Sequence, residues 1–236
     1  MHPRRHSPMK LAYLLGAVLA MSSGADGRGD ARAAPAAQAL QTPACDVWTA
    51  DYALAARLRL ADTPFGAGNG VHDVGPGHLR LRFSKTADPE ATKVELLAYE
   101  MRERFVVASG VLFIHATVTT STDTRATPDE QGVIATGTLR GRDLVWSTKV
   151  RGYRTDGTIH CEGSGCGMSG VPASGTTPLH IPPNAVQFSS IAFDAADLST
   201  LHMPETKVSH TDMPRQTAFI TFSGRKMTSQ CTGTSG

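Results

Sequence analysis

The sequence predicts a mainly β fold: a single disulfide-tied antiparallel β-barrel or β-sandwich running from about Cys45 to Cys231. Three observations carry this. Residues Trp48–Leu60 alternate strictly between a face of Trp48, Ala50, Tyr52, Leu54, Ala56, Leu58 and Leu60 and a face carrying Asp51, Arg57 and Arg59, as a half-buried strand requires. Runs dense in Val, Ile, Thr and Phe recur downstream between Gly, Asp, Asn and Pro breaks. The four cysteines follow an export-type N-terminus, a setting that favours disulfides over free thiols.

That N-terminus has Arg4, Arg5 and Lys10, then a largely apolar stretch from Leu11 to Met21, then Ser22, Ser23, Gly24 and Ala25. Charged, apolar and small-residue regions in this order describe a cleaved signal peptide. As a helix the apolar stretch would reach about 16 Å, roughly half a bilayer core, so it is too short to span. His6, Ser7 and Pro8 follow the arginine pair where a twin-arginine signal would carry apolar residues, which favours the general secretory route. We read residues 1–21 as signal peptide, with cleavage after Ala20 or as far on as Ala33. Residues 22–44 read as an Ala/Gly-rich flexible linker, and 232–236 as a disordered tail. The expected location is the periplasm or the exterior.

The chain carries 23 Lys+Arg against 21 Asp+Glu, and aromatics make up 6% of it. With Arg4, Arg5 and Lys10 removed the mature chain is near neutral. Nucleic-acid binding needs clustered cations and stacking rings, and neither is present. An integral outer-membrane barrel needs aromatic girdles, for which four Tyr and two Trp are too few.

Cys161 and Cys166 flank Glu162-Gly163-Ser164-Gly165, a turn that can bring them together. The remaining pair, Cys45–Cys231, would bracket the domain and stabilise it by up to about 5 kcal/mol in the chain-entropy account. A zinc site using His160, Cys161 and Cys166 is the weaker reading, because structural zinc wants closer pairs and more ligands.

Past the first strand, Asp62–Gly70 and Gly75-Pro76-Gly77 have loop chemistry, with Asn69-Gly70 suited to positive φ. Leu79, Leu81 and Phe83 alternate with His78, Arg80 and Arg82 as a short strand. Further strands are expected over Phe105–Thr119, Gly132–Leu139, Leu144–Tyr153, Thr158–Cys161, Val186–Phe193 and Ala218–Met227, with turns at Asp143 and Asp156-Gly157. One segment departs from the pattern. Asp88-Pro89-Glu90 resembles a helix start, and Val94, Leu97, Ala98, Met101 and Phe105 follow at helical spacing. A helix over 89–102 is slightly favoured, with a long β-hairpin arm the close alternative.

No motif settles the chemistry. Gly66–Gly77 lacks the Gly-Lys-Ser/Thr ending of a phosphate loop, and neither Ser164 nor Ser169 sits in a nucleophile elbow. His115 reads as a strand residue, and the acids Asp123, Asp129, Glu130, Asp194 and Asp197 match no defined calcium loop. His202, Met203, His210 and Met213 place imidazoles and thioethers within one segment, the donor set copper selects. The simpler reading of that segment is an exposed loop packing its methionines on the barrel rim. Gly165–Asn184 reads as a long loop, and such loops are often functional. With Val171, Leu179 and Ile181 as apolar anchors, and with Phe65 and Asn69 from the Gly-rich turn, it would rim an opening to the core. The expectation is a non-catalytic module binding a small apolar ligand or an envelope partner, with no cofactor. Its alternatives are a copper-binding envelope protein and a hydrolase whose site is assembled from separated loops.

Overall fold

In a computed structural model the chain is described over residues 45–63, 66–67, 71–168, 171–210 and 213–233. The expected signal peptide and linker, together with Phe65, Asn69 and Ser169, lie outside the described residues. The described chain forms strands and no helix: β1 Val47–Thr63, β2 Gly66–Ala67, β3 Val71–Lys85, β4 Ala91–Val111, β5 Ile114–Arg125, β6 Ala135–Arg140, β7 Asp143–Trp146, β8 Val150–Glu162, β9 Gly175–Val186, β10 Ile191–Phe193, β11 Thr200–His210 and β12 Met213–Gly233.

Eight strands close an antiparallel barrel in the order β1-β12-β11-β10-β7-β6-β4-β3, with β3 returning to β1. Closure removes the open edges that a sheet would otherwise expose. The alternation read in β1 survives: Trp48, Ala50, Tyr52, Leu54, Ala56 and Leu58 are all buried. The interior is filled rather than hollow. Trp48 stacks on Phe83 with ring centroids 5.2 Å apart, and Tyr52, Leu79, Leu81 and Ile191 are each fully enclosed. Burying each such side chain contributes about 2–3 kcal/mol. Tyr52 also donates its hydroxyl to the Leu198 carbonyl at 3.0 Å.

Strand β4 serves two sheets. Thr92–Met101 pair with β3 and Ala91–Leu96 with β6, whereas Glu100–Val111 leave the barrel and pair with β5. Strand β5 carries β8, and β8 carries β9. The resulting β4-β5-β8-β9 sheet is an arm that continues from the barrel wall.

The helix expected over 89–102 is therefore replaced by the alternative, a long hairpin arm. A β-bulge explains the misleading pattern. Leu81 pairs with Leu96 and Arg80 with Ala98, so Leu97 is the extra residue. Val94 and Leu96 face inward before the bulge, Tyr99 and Met101 after it. One inserted residue flips the parity of the strand, and apolar residues then recur at spacings that imitate a helix.

Other expectations also change. Phe105–Thr119 is split by a turn at Leu112-Phe113, and Asp156-Gly157 lies within β8 instead of at a turn. The long loop Gly165–Asn184 contains most of β9. Its prolines Pro178, Pro182 and Pro183 are tolerated because β9 ends the sheet order, and proline is admissible on an edge strand. Strand β12 runs to Gly233, into the expected tail.

The Cys161–Cys166 disulfide is present, with Cα atoms 6.0 Å apart. Cys45 and Cys231, by contrast, are free thiols. The register does bring the two ends of the domain together, with Val47 opposite Gly233 and Trp48 opposite Cys231. The sulfurs meet without bonding: the Cys231 thiol hydrogen-bonds Cys45, which together with burial pushes Cys45 up to about 11.

Candidate functional site

The bulge at Leu97 has a chemical result: it turns Glu103 inward with Tyr99 and Met101. Glu103 is only 4% exposed. Directly across the ladder stands Thr122, whose hydroxyl donates to Glu103 Oε2 at 2.7 Å. Thr120, Thr122 and Thr124 occupy alternate positions of β5 and are all buried. Thr124 shares a 2.9 Å hydrogen bond with Thr155 of β8. Above them Tyr99 and Tyr153 stack, 6.1 Å between centroids.

The same face carries apolar side chains. The ladder runs Glu103, Thr122, Gly157, Leu179 across the four strands, and its neighbour runs Met101, Thr124, Thr155, Ile181. Ile159, Leu179 and Ile181 form a buried cluster of their own, with Val118 packed against it, separate from the barrel core. Gly157 is required here. A Cβ at that position would fall on the Ser121 carbonyl oxygen and within 2.7 Å of Thr122 Cα.

Burial pushes the Glu103 carboxyl up to about 7, against a smaller downward pull from the Thr122 hydroxyl. Burial likewise raises the phenols of Tyr99 and Tyr153, which stay protonated. A carboxyl poised near neutrality accepts hydrogen bonds when ionised and donates one when protonated. Sequence reading missed Glu103, which lies one residue past the helix expected over 89–102. The available signal was the Thr120, Thr122, Thr124 alternation on the strand after Glu103.

Of the expected ligand residues, Leu179 and Ile181 are brought together on this face. Val171 lies apart from it in sequence, in the half-buried turn where its amide donates to the Met168 carbonyl at 2.9 Å. Of the copper candidates, His202 and Met203 point apart. His202 and Met203 are consecutive on β11 and therefore point to opposite faces. His202 is exposed and its Nδ1 is 2.7 Å from Asp194 Oδ1, whereas Met203 is buried in the barrel. His210 and Met213 are placed opposite one another in backbone register. Among the described residues no three His, Cys, Asp or Glu side chains converge on a point. Ser164, the serine weighed as a nucleophile, is engaged structurally: it donates to the Phe113 carbonyl at 3.0 Å.

A second polar cluster lies on the outer barrel wall. Asp51 accepts from His78 Nε2 at 2.7 Å, from Arg80 at 2.8 Å and from Thr228 at 3.0 Å. Partial burial pushes the Asp51 carboxyl up, but hydrogen bonds from Arg80, His78 and Thr228 outweigh it and hold it below the usual range. This cluster joins β12, β1 and β3 across the wall, a structural clasp. No helix among the described residues is long and apolar enough to cross a membrane. Comparison with protein-family models, with curated proteins and with solved structures finds no match to this chain.

Proposed function

We propose that this chain is an exported, non-catalytic binding module of the cell envelope. It takes a small, mainly apolar ligand bearing one hydrogen-bonding group against the inner face of the arm. Glu103 and the Thr122 hydroxyl engage the polar group, and Ile159, Leu179 and Ile181 engage the apolar body. The observation that carries this reading is the burial of one carboxyl beside an apolar cluster distinct from the main core. An ionisable group in such a place lowers stability unless it is paired or neutral, so its position argues for a role other than folding. The filled barrel interior supports placing the ligand in the arm. Because these side chains are already shielded from water, ligand entry opens that face.

Native mass spectrometry of the exported protein, purified without detergent or chelator, tests the reading. The expected spectrum shows a non-covalent adduct on the disulfide-bonded chain, lost or weakened in Ile181→Asp and in Glu103→Ala. A bare mass in the wild type, together with no binding across a library of apolar alcohols, amines and acids, would overturn it. An adduct of metal mass would favour the copper alternative.

A further inference from the structure

The β4–β5 hairpin ends in four consecutive apolar residues, Val111-Leu112-Phe113-Ile114, of which Leu112 is 99% and Phe113 91% exposed. Two-residue hairpin turns favour Asn and Gly because they require positive φ. Here Leu112 takes that conformation, with φ of 53°, which a branched bulky residue adopts only under strain. Side chains that gain nothing from burial and strain the backbone at the most exposed point of a strand pair are not there for folding.

Two further observations concern what surrounds this tip. From Phe105 through Thr122 the sequence holds no Asp, Glu, Lys or Arg, and none occurs from Gly163 through Leu179. The distal arm is thus built almost entirely of uncharged residues, with Glu162 and histidines the exceptions. Part of the backbone beside the tip is also bonded internally, by the disulfide loop. Ser164 donates its hydroxyl to the Phe113 carbonyl at 3.0 Å and accepts from the His115 amide at 3.3 Å. The Gly165 amide donates to the His115 carbonyl at 2.8 Å. The Cys161–Cys166 disulfide holds this loop in place. Gly163 lets it come close, since a Cβ there would strike the His115 carbonyl.

In water such internal partners are unnecessary at an exposed turn. In hydrocarbon they are obligatory, because no solvent remains to bond the carbonyls. An uncharged stem also avoids the desolvation of charge that lipid imposes. We infer that the Val111–Ile114 tip inserts shallowly into the surface of a lipid bilayer, with Leu112 and Phe113 as anchors and the disulfide loop as its polar cap. Lacking cations, it requires no anionic lipid. This goes beyond the ligand-binding reading and stands without it.

The test uses the full chain carrying Phe113→Trp, mixed with phosphatidylcholine vesicles. Trp48 and Trp146 are buried, so a water-exposed indole at 113 is the red-emitting one. The expected result is a blue shift on adding vesicles, quenching by brominated acyl chains near the headgroups, and little change with salt. In the otherwise wild-type chain, Leu112→Asp with Phe113→Asp should reduce vesicle co-sedimentation about a hundredfold or more without lowering the unfolding midpoint, since Asp tolerates the positive φ at 112. Ser164→Ala, which keeps every apolar side chain, should weaken it about tenfold by exposing the Phe113 carbonyl. Absence of a shift with vesicles would overturn the inference. So would binding that needs anionic lipid and vanishes in salt. A blue shift that follows protein concentration without lipid would overturn it in favour of a second copy of the chain covering the tip.

Discussion

Thr122 stands directly opposite Glu103 on the neighbouring strand and donates its hydroxyl to the Glu103 carboxyl across 2.7 Å, inside a face closed to water. That single hydrogen bond only partly offsets the burial that raises the carboxyl to about 7. In the unfolded chain a glutamate titrates near 4.3.

The folded state therefore binds the proton more tightly, and the sign of the pH dependence follows. Stability from the protonated group is fully present below about pH 4 and is lost as pH rises towards and through 7. Glu103→Gln mimics the protonated form at every pH. The variant should match the wild type near pH 4 and exceed it by about 3 kcal/mol at pH 8. Urea unfolding at both pH values checks this. Parallel pH profiles for the two proteins would mean that Glu103 ionises freely in the folded state.

Asp51 runs the other way. Its folded carboxyl is held below the usual range, so its stabilisation is present above about pH 4 and is lost as pH falls through the folded value. Arg80 is half exposed and solvent screens that partner, so Asp51→Asn should cost about 1 kcal/mol at pH 7. The difference between variant and wild type should shrink on acidification, as denaturant titrations at successive pH values would record.

Gly157 is where β5 and β8 approach without a side chain between them. Gly157→Ala forces backbone rather than a flexible side chain to move, and should destabilise the protein by about 2–3 kcal/mol. Because Gly157 lies between Thr122 and Leu179 in the ladder, hydrogen exchange should speed up in β5, β8 and β9 more than in β1 and β12. Uniform acceleration over the whole chain would show that arm and barrel unfold as one unit.

The strands most legible in sequence are those whose face never changes. In β1, alternation from Trp48 to Leu58 states which side meets the core, because side chains of a strand alternate by geometry alone. The Cys161–Cys166 pairing was legible for a similar local reason: five residues of separation and a glycine turn leave little else those sulfurs can reach. Glu103 was hidden by Leu97, since a bulge is defined by the partner strand, and β4 carries no local mark of where β3 skips a residue. Leu179 and Ile181 were legible as apolar anchors but not as strand residues, because Pro178 and Pro182 exclude only a central strand, and β9 is an edge.

The same division holds for the cysteines and the copper candidates. Pairing Cys45 with Cys231 implied that the two ends of the domain lie side by side, and the β1–β12 register places them so, but whether the sulfurs bond is decided by the tertiary approach of the segments that carry them. His202 and Met203 are neighbours in sequence and were grouped on that basis. Placing them on β11 sends one to solvent and one to the core. Composition, alternation and short-range turns lie within a few residues of one another, so they are written in the chain. Barrel closure, strand parity and the burial of one carboxyl arise only when distant strands pair, and those pairings carry the candidate site.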